Sequence, residues 1–277
     1  MLAIAFSLCP LCDAAVDTAE EFKVADASSH PSYKPELPPT MRWLRCRSCN
    51  HVFTETYRSQ DGDRVLFSST LPHQLPNATQ SEHLRNLWAP TVHRVAQRLS
   101  ETRDLAHVFG ALGADRPRWA DIGFGNGGLI MTAGEFGFAA TGVDARAEPV
   151  ERLKALGYDA ICSAFENLAI QEPLSVLSMA DVLEHMPAPR AAIDKVHAML
   201  QADGLFYLSC PNSETSTWRL WEEANTNPYW GELEHYHNFS RSKLQQLLND
   251  HGFRVIDYFV SARYYSCMEI IARKRSV

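Results

Sequence analysis

No uninterrupted apolar run in the sequence approaches the roughly 18 residues of a membrane-spanning helix, so no helical span is expected. The opening residues, "MLAIAFSLCPLC", have no basic n-region, and their short apolar run breaks at Pro10. That pattern argues against an export signal and for a cytoplasmic protein. Positive charge is also short: 26 Lys+Arg against 33 Asp+Glu leave a formal net charge of -7. A protein that grips long nucleic acid through its phosphates normally carries a basic face, so nucleic acid is an unexpected partner. The arginine-dense stretch "RWLRCRSC", with Arg42, Arg45 and Arg47, reads as solvated surface. Hydrophobic residues at 45% and charged residues at 21% show no bias towards disorder or fibre.

The 277 residues suffice for one large α/β domain and a small accessory module. Seven cysteines in a reducing compartment should not form disulfides. Cys162, Cys210 and Cys267 sit singly in apolar, strand-like runs and are expected to be buried. The other four form two C-x-x-C knuckles, Cys9 and Cys12 in "CPLC" and Cys46 and Cys49 in "CRSC". Each two-residue gap lets both thiolates of a pair face one tetrahedral zinc ion, and four thiolates close the shell, so the expected Zn2+ is structural. His51 is a weaker candidate ligand. The stretch "SSHPSYKPELPPT" between the knuckles reads as a loop, and "HVFTETY" after the second as a strand. Farther on, Leu84, Leu87, Trp88, Val92, Val95, Ala96 and Leu99 recur at helical spacing within residues 79–112. Pro90 is expected to kink or divide that helix, which either crosses the mouth of the next domain or simply connects to it.

"WADIGFGNGGLI" reads as a strand end, a tight turn and a helix start. Its glycines satisfy two patterns. Gly123, Gly125 and Gly128 fit the G-x-G-x-x-G of dinucleotide sites, while Asp121, Gly123, Gly125 and Gly127 fit D-x-G-x-G-x-G. A dinucleotide would set its pyrophosphate against the Asp121 carboxylate, a like-charge contact. S-adenosylmethionine brings an ammonium and a sulfonium instead, for which an acidic group is attractive. Asp144, ending the strand of "FAATGVDARAE", suits the ribose of either cofactor.

These residues resemble a class I S-adenosylmethionine-dependent methyltransferase over roughly residues 113–277. "DIGFGNGG" is similar to the family's first motif and "GVDA" to its second; "SMADVLEHMPAP" matches the region after the fourth strand and "GLFYLSCPN" the fifth strand. The resemblance implies a Rossmann-like α/β fold: a seven-stranded, mostly parallel sheet with its last strand antiparallel. It gives three regions: a zinc-ribbon-like module over 1–64, a helical linker or cap over 65–112, and the methyltransferase domain over 113–277. It implies cofactor contacts from Asp121, Gly123, Gly125, Gly127, Asp144, Ala145 and Asp181. Where relatives often carry an acid for the adenine amino group, "CSAFENL" offers Ser163, Ala164 and Phe165. Adenine recognition then falls to backbone groups and to Phe165.

Methyl transfer to oxygen needs a proton removed, and histidine is the natural base near neutral pH. His185 in "DVLEHM" and His235 and His237 in "GELEHYHNFS" are the candidates. His235 and His237 could instead share a metal with Glu232 or Glu234. The aromatic insertion with Trp218, Trp221, Tyr229 and Trp230 is expected to roof an acceptor pocket, to form a satellite core, or both. A zinc-ribbon front on such a domain resembles bacterial sugar and metabolite methyltransferases, some of which carry a further C-terminal domain. The expected activity is methyl transfer to a small-molecule acceptor, at an oxygen of a sugar or secondary metabolite. Two alternatives stay open: an RNA-modifying or RNA-binding protein that uses the zinc ribbon, and a nicotinamide oxidoreductase resting on G-x-G-x-x-G alone. The absence of an asparagine-proline-proline-aromatic signature disfavours amino-group methylation of bases.

Overall fold

The computed structural model describes residues 1–77, 81–102, 116–264 and 266–275. Its centre is a seven-stranded sheet whose inner strands are buried on both faces, hence their near-continuous apolar runs in the sequence. The strands are β6 (Arg118–Ile122), β7 (Ala139–Asp144), β8 (Asp159–Cys162), β9 (Leu174–Ala180), β10 (Leu200–Pro211), β12 (Phe253–Val260) and β13 (Cys267–Lys274). Their order is β12-β13-β10-β9-β6-β7-β8. The pairs β10·β9, β9·β6, β6·β7 and β7·β8 are parallel, and β13 runs antiparallel to both its neighbours. This is the expected methyltransferase sheet. As an edge strand β8 leaves Cys162 exposed, contrary to its expected burial, whereas Cys210 and Cys267 are buried.

Helices cover both faces. On one side α5 (Pro189–Met199) and α7 (Arg241–Asp250) bring Ile193, Val196, Leu244 and Leu248 onto Leu177, Phe206 and Met268. On the other, α2 (Ser81–Ser100) and α3 (Gly128–Glu135) bring Val92, Val95, Leu99 and Leu129 onto Trp119, Val176 and Ile271. The remaining crossover helix, α4 (Ala147–Ala155), adds Val150 and Leu153 beside Phe124. α2 runs through Pro90 without a break, because buried side chains on both sides of the proline hold it to the sheet. The part of the expected helix over 103–112 lies outside the described residues. A methyl on Gly128 would stand 2.8 Å from Trp88 Cδ1, so α2 and α3 approach as they do only because that residue is glycine. Forcing a side chain into such a contact costs about 1–3 kcal/mol.

The N-terminal segment builds a second sheet, β2 (Glu20–Asp26), β3 (Thr40–Arg45), β4 (Val52–Thr54) and β11 (His237–Asn238), in the order β11-β4-β3-β2. A ribbon of β1 (Ala3–Ala5) and β5 (Thr56–Arg58), then α1 (Gln60–Leu66), complete the segment. β11 comes from the methyltransferase part of the chain, with His237 opposite Phe53 and Asn238 opposite Val52. Further bonds join the same two regions: Thr54 N donates to Tyr236 O at 2.9 Å, and Trp43 Nε1 to Trp230 O at 2.9 Å. The segment is thus built into the loop over the sheet's carboxyl end. The three arginines of the basic run meet acids across the β2–β3 pair, Arg42 with Glu21 and both Arg45 and Arg47 with Glu20. Among the described residues no helix is long and apolar enough to cross a membrane.

Candidate functional site

The carboxyl ends of β6, β7 and β9 open into a cavity of about 470 Å³. In open α/β sheets this is where ligands bind. Asp121, Gly123, Gly125, Asp144, Ala145, Ser163, Ala164, Phe165 and Asp181 all line it. Gly127 does not: it caps the start of α3 at φ 77°, and a methyl there would meet Leu153 at 2.9 Å. Gly123, at φ 66°, lets Val182 pack against the loop, while a methyl on Gly125 would meet nothing nearer than 4.0 Å. The loop thus presents bare backbone to the cavity, a cradle for a ligand that approaches closely.

Asp121 is buried, and its Oδ1 accepts from Ser178 Oγ at 2.6 Å, which in turn accepts from Trp119 Nε1 at 2.8 Å. Burial pushes its pKa up to about 7 against the pull of Ser178 and Arg263, with Asp144 and Asp181 pushing further. So raised, the ionised acid is favoured by an arriving cation. Asp144 is held by a residue the sequence reading passed over: Arg146 donates to Oδ1 at 3.0 Å and to Oδ2 at 2.9 Å, and also to Gln74 Oε1. A ribose here meets the Asp144–Arg146 pair rather than a lone carboxylate. Its proximity in "GVDAR" was the available signal.

A second cavity of about 860 Å³ adjoins the first. His73, Gln74, Asp181, His185, Glu234 and Tyr264 line both. One wall is β2, with Lys23 to Asp26; another is the aromatic insertion, through Tyr229 and Trp230. Trp230 also packs edge-on against Trp43 and Trp218, so the insertion is both a wall of this cavity and a satellite core.

The three candidate histidines separate. His185 stands where the cavities meet, with 26% of its side chain exposed and Nδ1 3.7 Å from Glu234 Oε2; burial lowers its pKa. His235 lines only the larger cavity, stacks on Tyr229 and lies 4.9 Å from His185 between ring centroids; burial lowers its pKa to about 3. His237 lines neither cavity. Fully buried, it donates from Nε2 to Met186 O at 2.9 Å, so its Nδ1 accepts from His51 Nε2 at 3.1 Å. The alternative of an H-x-H metal pair does not form: β11 begins only at His237, and His235, in the preceding turn, faces the larger cavity that His237 does not line. His51 is likewise taken by His237 rather than by the cysteines.

Glu184, unremarked in the sequence, is a buried acid without a partner. It is fully buried at the floor of the larger cavity, neither carboxyl oxygen has a hydrogen-bond partner, and burial raises its pKa well above the usual range. His185 and His235 each bring Nε2 to 4.0 Å from its Oε1. These three side chains place ligand atoms within 4.8 Å of one another, a set that can hold a divalent cation.

The four cysteines of the N-terminal segment also converge, with ligand atoms within 4.8 Å of one another. Across the knuckles Cys9 Sγ lies 3.7 Å from Cys49 Sγ and Cys12 Sγ 3.6 Å from Cys46 Sγ, too far for disulfides. Each knuckle closes the same way: Asp13 at φ 58° and Asn50 at φ 60° donate their N–H groups back to the O of Cys9 and of Cys46. Asp and Asn tolerate that left-handed backbone. Burial pushes Cys49 up to about 11 and raises Cys9 too. For Cys46 burial is outweighed by the backbone N–H groups of Cys49 and Ser48, which bring it down to about 7. Thiols in this state are stabilised as thiolates by a shared divalent cation.

Comparison with known proteins agrees with this geometry. A family model described as a methyltransferase domain matches residues 81–258. The ubiquinone biosynthesis O-methyltransferase of Idiomarina loihiensis is 35% identical over 108 residues, 36% of this chain and 44% of that protein. That of Haemophilus ducreyi is 29% identical over 112 residues, 36% of this chain and 48% of that one. This chain spans about half the length of these curated relatives. Among solved structures, magnesium protoporphyrin IX methyltransferase from Synechocystis PCC 6803, with bound S-adenosylhomocysteine, shares the fold at a TM-score of 0.50 and 17% identity, covering 72% of this chain and 88% of that one. Since the matched model runs from the start of α2 almost to the end of β12, over the glycine loop and every parallel strand, the chain belongs to the class I S-adenosylmethionine-dependent methyltransferases.

Proposed function

We propose that the chain methylates an oxygen of a small-molecule acceptor, a sugar or secondary metabolite, held in the larger cavity. The observation that carries this is the junction of the two cavities at His185 and Asp181. The cofactor supplies a methyl on a sulfonium, which departs as a neutral thioether. The chain positions the acceptor in line, excludes water and takes up the hydroxyl proton. Holding two reactants in a near-attack geometry is worth effective molarities of ~10⁵ M or more. His185 is the base: neutral, partly exposed and facing both cavities. With a pKa of about 3, His235 is too weak a base and serves to shape the pocket. The names of the curated relatives favour oxygen as acceptor atom. The paired arginines of the N-terminal segment weigh against an RNA grip.

The four-cysteine cluster is proposed to bind Zn2+ as a closed structural site. It ties the two knuckles together beside β4 and so supports β2, a wall of the acceptor cavity.

Incubation with methyl-labelled cofactor and cell extract, followed by mass spectrometry, should place label on an oxygen of a small metabolite; label on RNA, nitrogen or carbon would overturn the reading. His185→Ala should lower kcat by about 10²–10⁴-fold with S-adenosylhomocysteine affinity unchanged, while full turnover would remove the assigned base. Because the ligand's ammonium favours ionised Asp121, S-adenosylhomocysteine should bind about tenfold more weakly at pH 6 than at pH 8. Asp121→Asn should abolish that slope, and an unchanged slope would show that another group titrates. Elemental analysis should find one zinc in the four-cysteine site of each chain. Cys46→Ser should lose it, with a melting temperature lower by about 5 °C or more; a metal-free wild type of full stability would refute the site.

A further inference from the structure

The methionine end of the cofactor carries three charges, an ammonium, a sulfonium and a carboxylate. Asp121 and Asp181 line the cavity as acids that suit the two cations, and the carboxylate is best met by a cation of its own. Among the described residues only two Lys or Arg side chains line the cofactor cavity, Arg146 and Arg263. Arg146 stands at the β7 end, locked to Asp144 where the ribose is expected. Arg263 stands at the other end, in the turn between β12 and β13, beyond β9 and β10 in the sheet order.

Its guanidinium is fixed from three sides. It donates from Nη1 to Asp181 Oδ2 at 2.8 Å and from Nη2 to Ser209 Oγ at 2.7 Å, and it lies 4.1 Å from the ring centroid of Trp88. The side chain is only 9% exposed, and Nε, 3.7 Å from Glu269 Oε1, has no hydrogen-bond partner. An arginine so deeply placed could merely neutralise Asp181 and Glu269. Two facts argue for more. Each terminal nitrogen makes its hydrogen bond with one of its two N–H groups, and both Arg263 and Trp88, over whose ring the fork is stacked, line the cofactor cavity. A planar fork held this way suits a carboxylate better than a flexible ammonium does.

The geometry points to Arg263 as the residue that binds the α-carboxylate of the methionine moiety, with Trp88 as its positioning platform. It rests on the cofactor assignment and is independent of the acceptor and of the base. The role has a chemical consequence: the site discriminates between S-adenosylmethionine and its decarboxylated analogue, which keeps the ammonium and sulfonium but has no carboxylate.

Calorimetric affinities for these two compounds, measured on wild type, Arg263→Lys and Arg263→Met, test it. Wild type should prefer the carboxylated compound by about 30-fold, the scale of a buried charged hydrogen-bonded pair with one partner removed. Arg263→Lys should narrow the preference, and Arg263→Met should bring it close to one while the affinity for the decarboxylated compound holds or improves. A purely neutralising role would change melting temperature and both affinities together and leave their ratio alone. Should Arg263→Met fail to fold, Arg263→Lys and wild type decide the matter. A wild type that binds both compounds equally, or a preference that survives both substitutions, overturns the assignment.

Discussion

Backbone hydrogen bonds between residues 52–54 and 236–238 hold this structure's functional half together. Through them β4, which follows the second cysteine knuckle, is joined edge to edge with β11, which follows the aromatic insertion. Tyr236, next to β11, donates its N–H to Glu184 O at 2.8 Å, linking the joint to the segment that carries His185. The buried His51–His237 pair seals it, both rings neutral because burial disfavours their charged forms. Together with the Trp43–Trp230 bond and the Lys23–Glu222 pair, the joint sets β2 as a wall of the larger cavity. The N-terminal segment is thereby structural material of the site itself.

The cofactor side depends on close approach. Gly123 admits Val182, Gly128 admits Trp88, and Trp88 in turn carries Arg263. This chain of contacts runs from the glycine loop across the sheet to the last β-hairpin, so α2 helps to shape the side of the cavity that Trp88 and Arg263 line. Charge is arranged along the same line: acids at the ends of β6, β7 and β9, with an arginine at either extremity of the cavity.

The central sheet was legible in the sequence because its parallel strands are mostly short apolar runs that give way to a polar or turn residue, as at Gly123, Asp144, Ser163 and Asp181. The glycine loop was legible because left-handed and close-approach positions restrict the residue type. The four cysteines were legible by spacing. What escaped depends on contacts distant in sequence. β11 is two residues long and has no periodicity to find; it exists because β4, nearly two hundred residues earlier, offers an edge. The fate of His237 follows from that pairing, and so does its separation from His235. Glu184 and Arg263 gave no signal, since a buried unpaired acid and a buried arginine look like surface residues until the fold surrounds them. Arg146 could have been found, two residues after an expected ribose acid.

Native-state hydrogen exchange tests the joint most directly, with the Thr54 and Tyr236 amides followed at increasing denaturant. If the N-terminal segment and the aromatic insertion are one cooperative unit, both amides open with the same free energy and the same denaturant dependence. If Thr54 opens at low denaturant while Tyr236 stays protected, the segment is an appended module, and the account of the acceptor cavity built on their union is wrong.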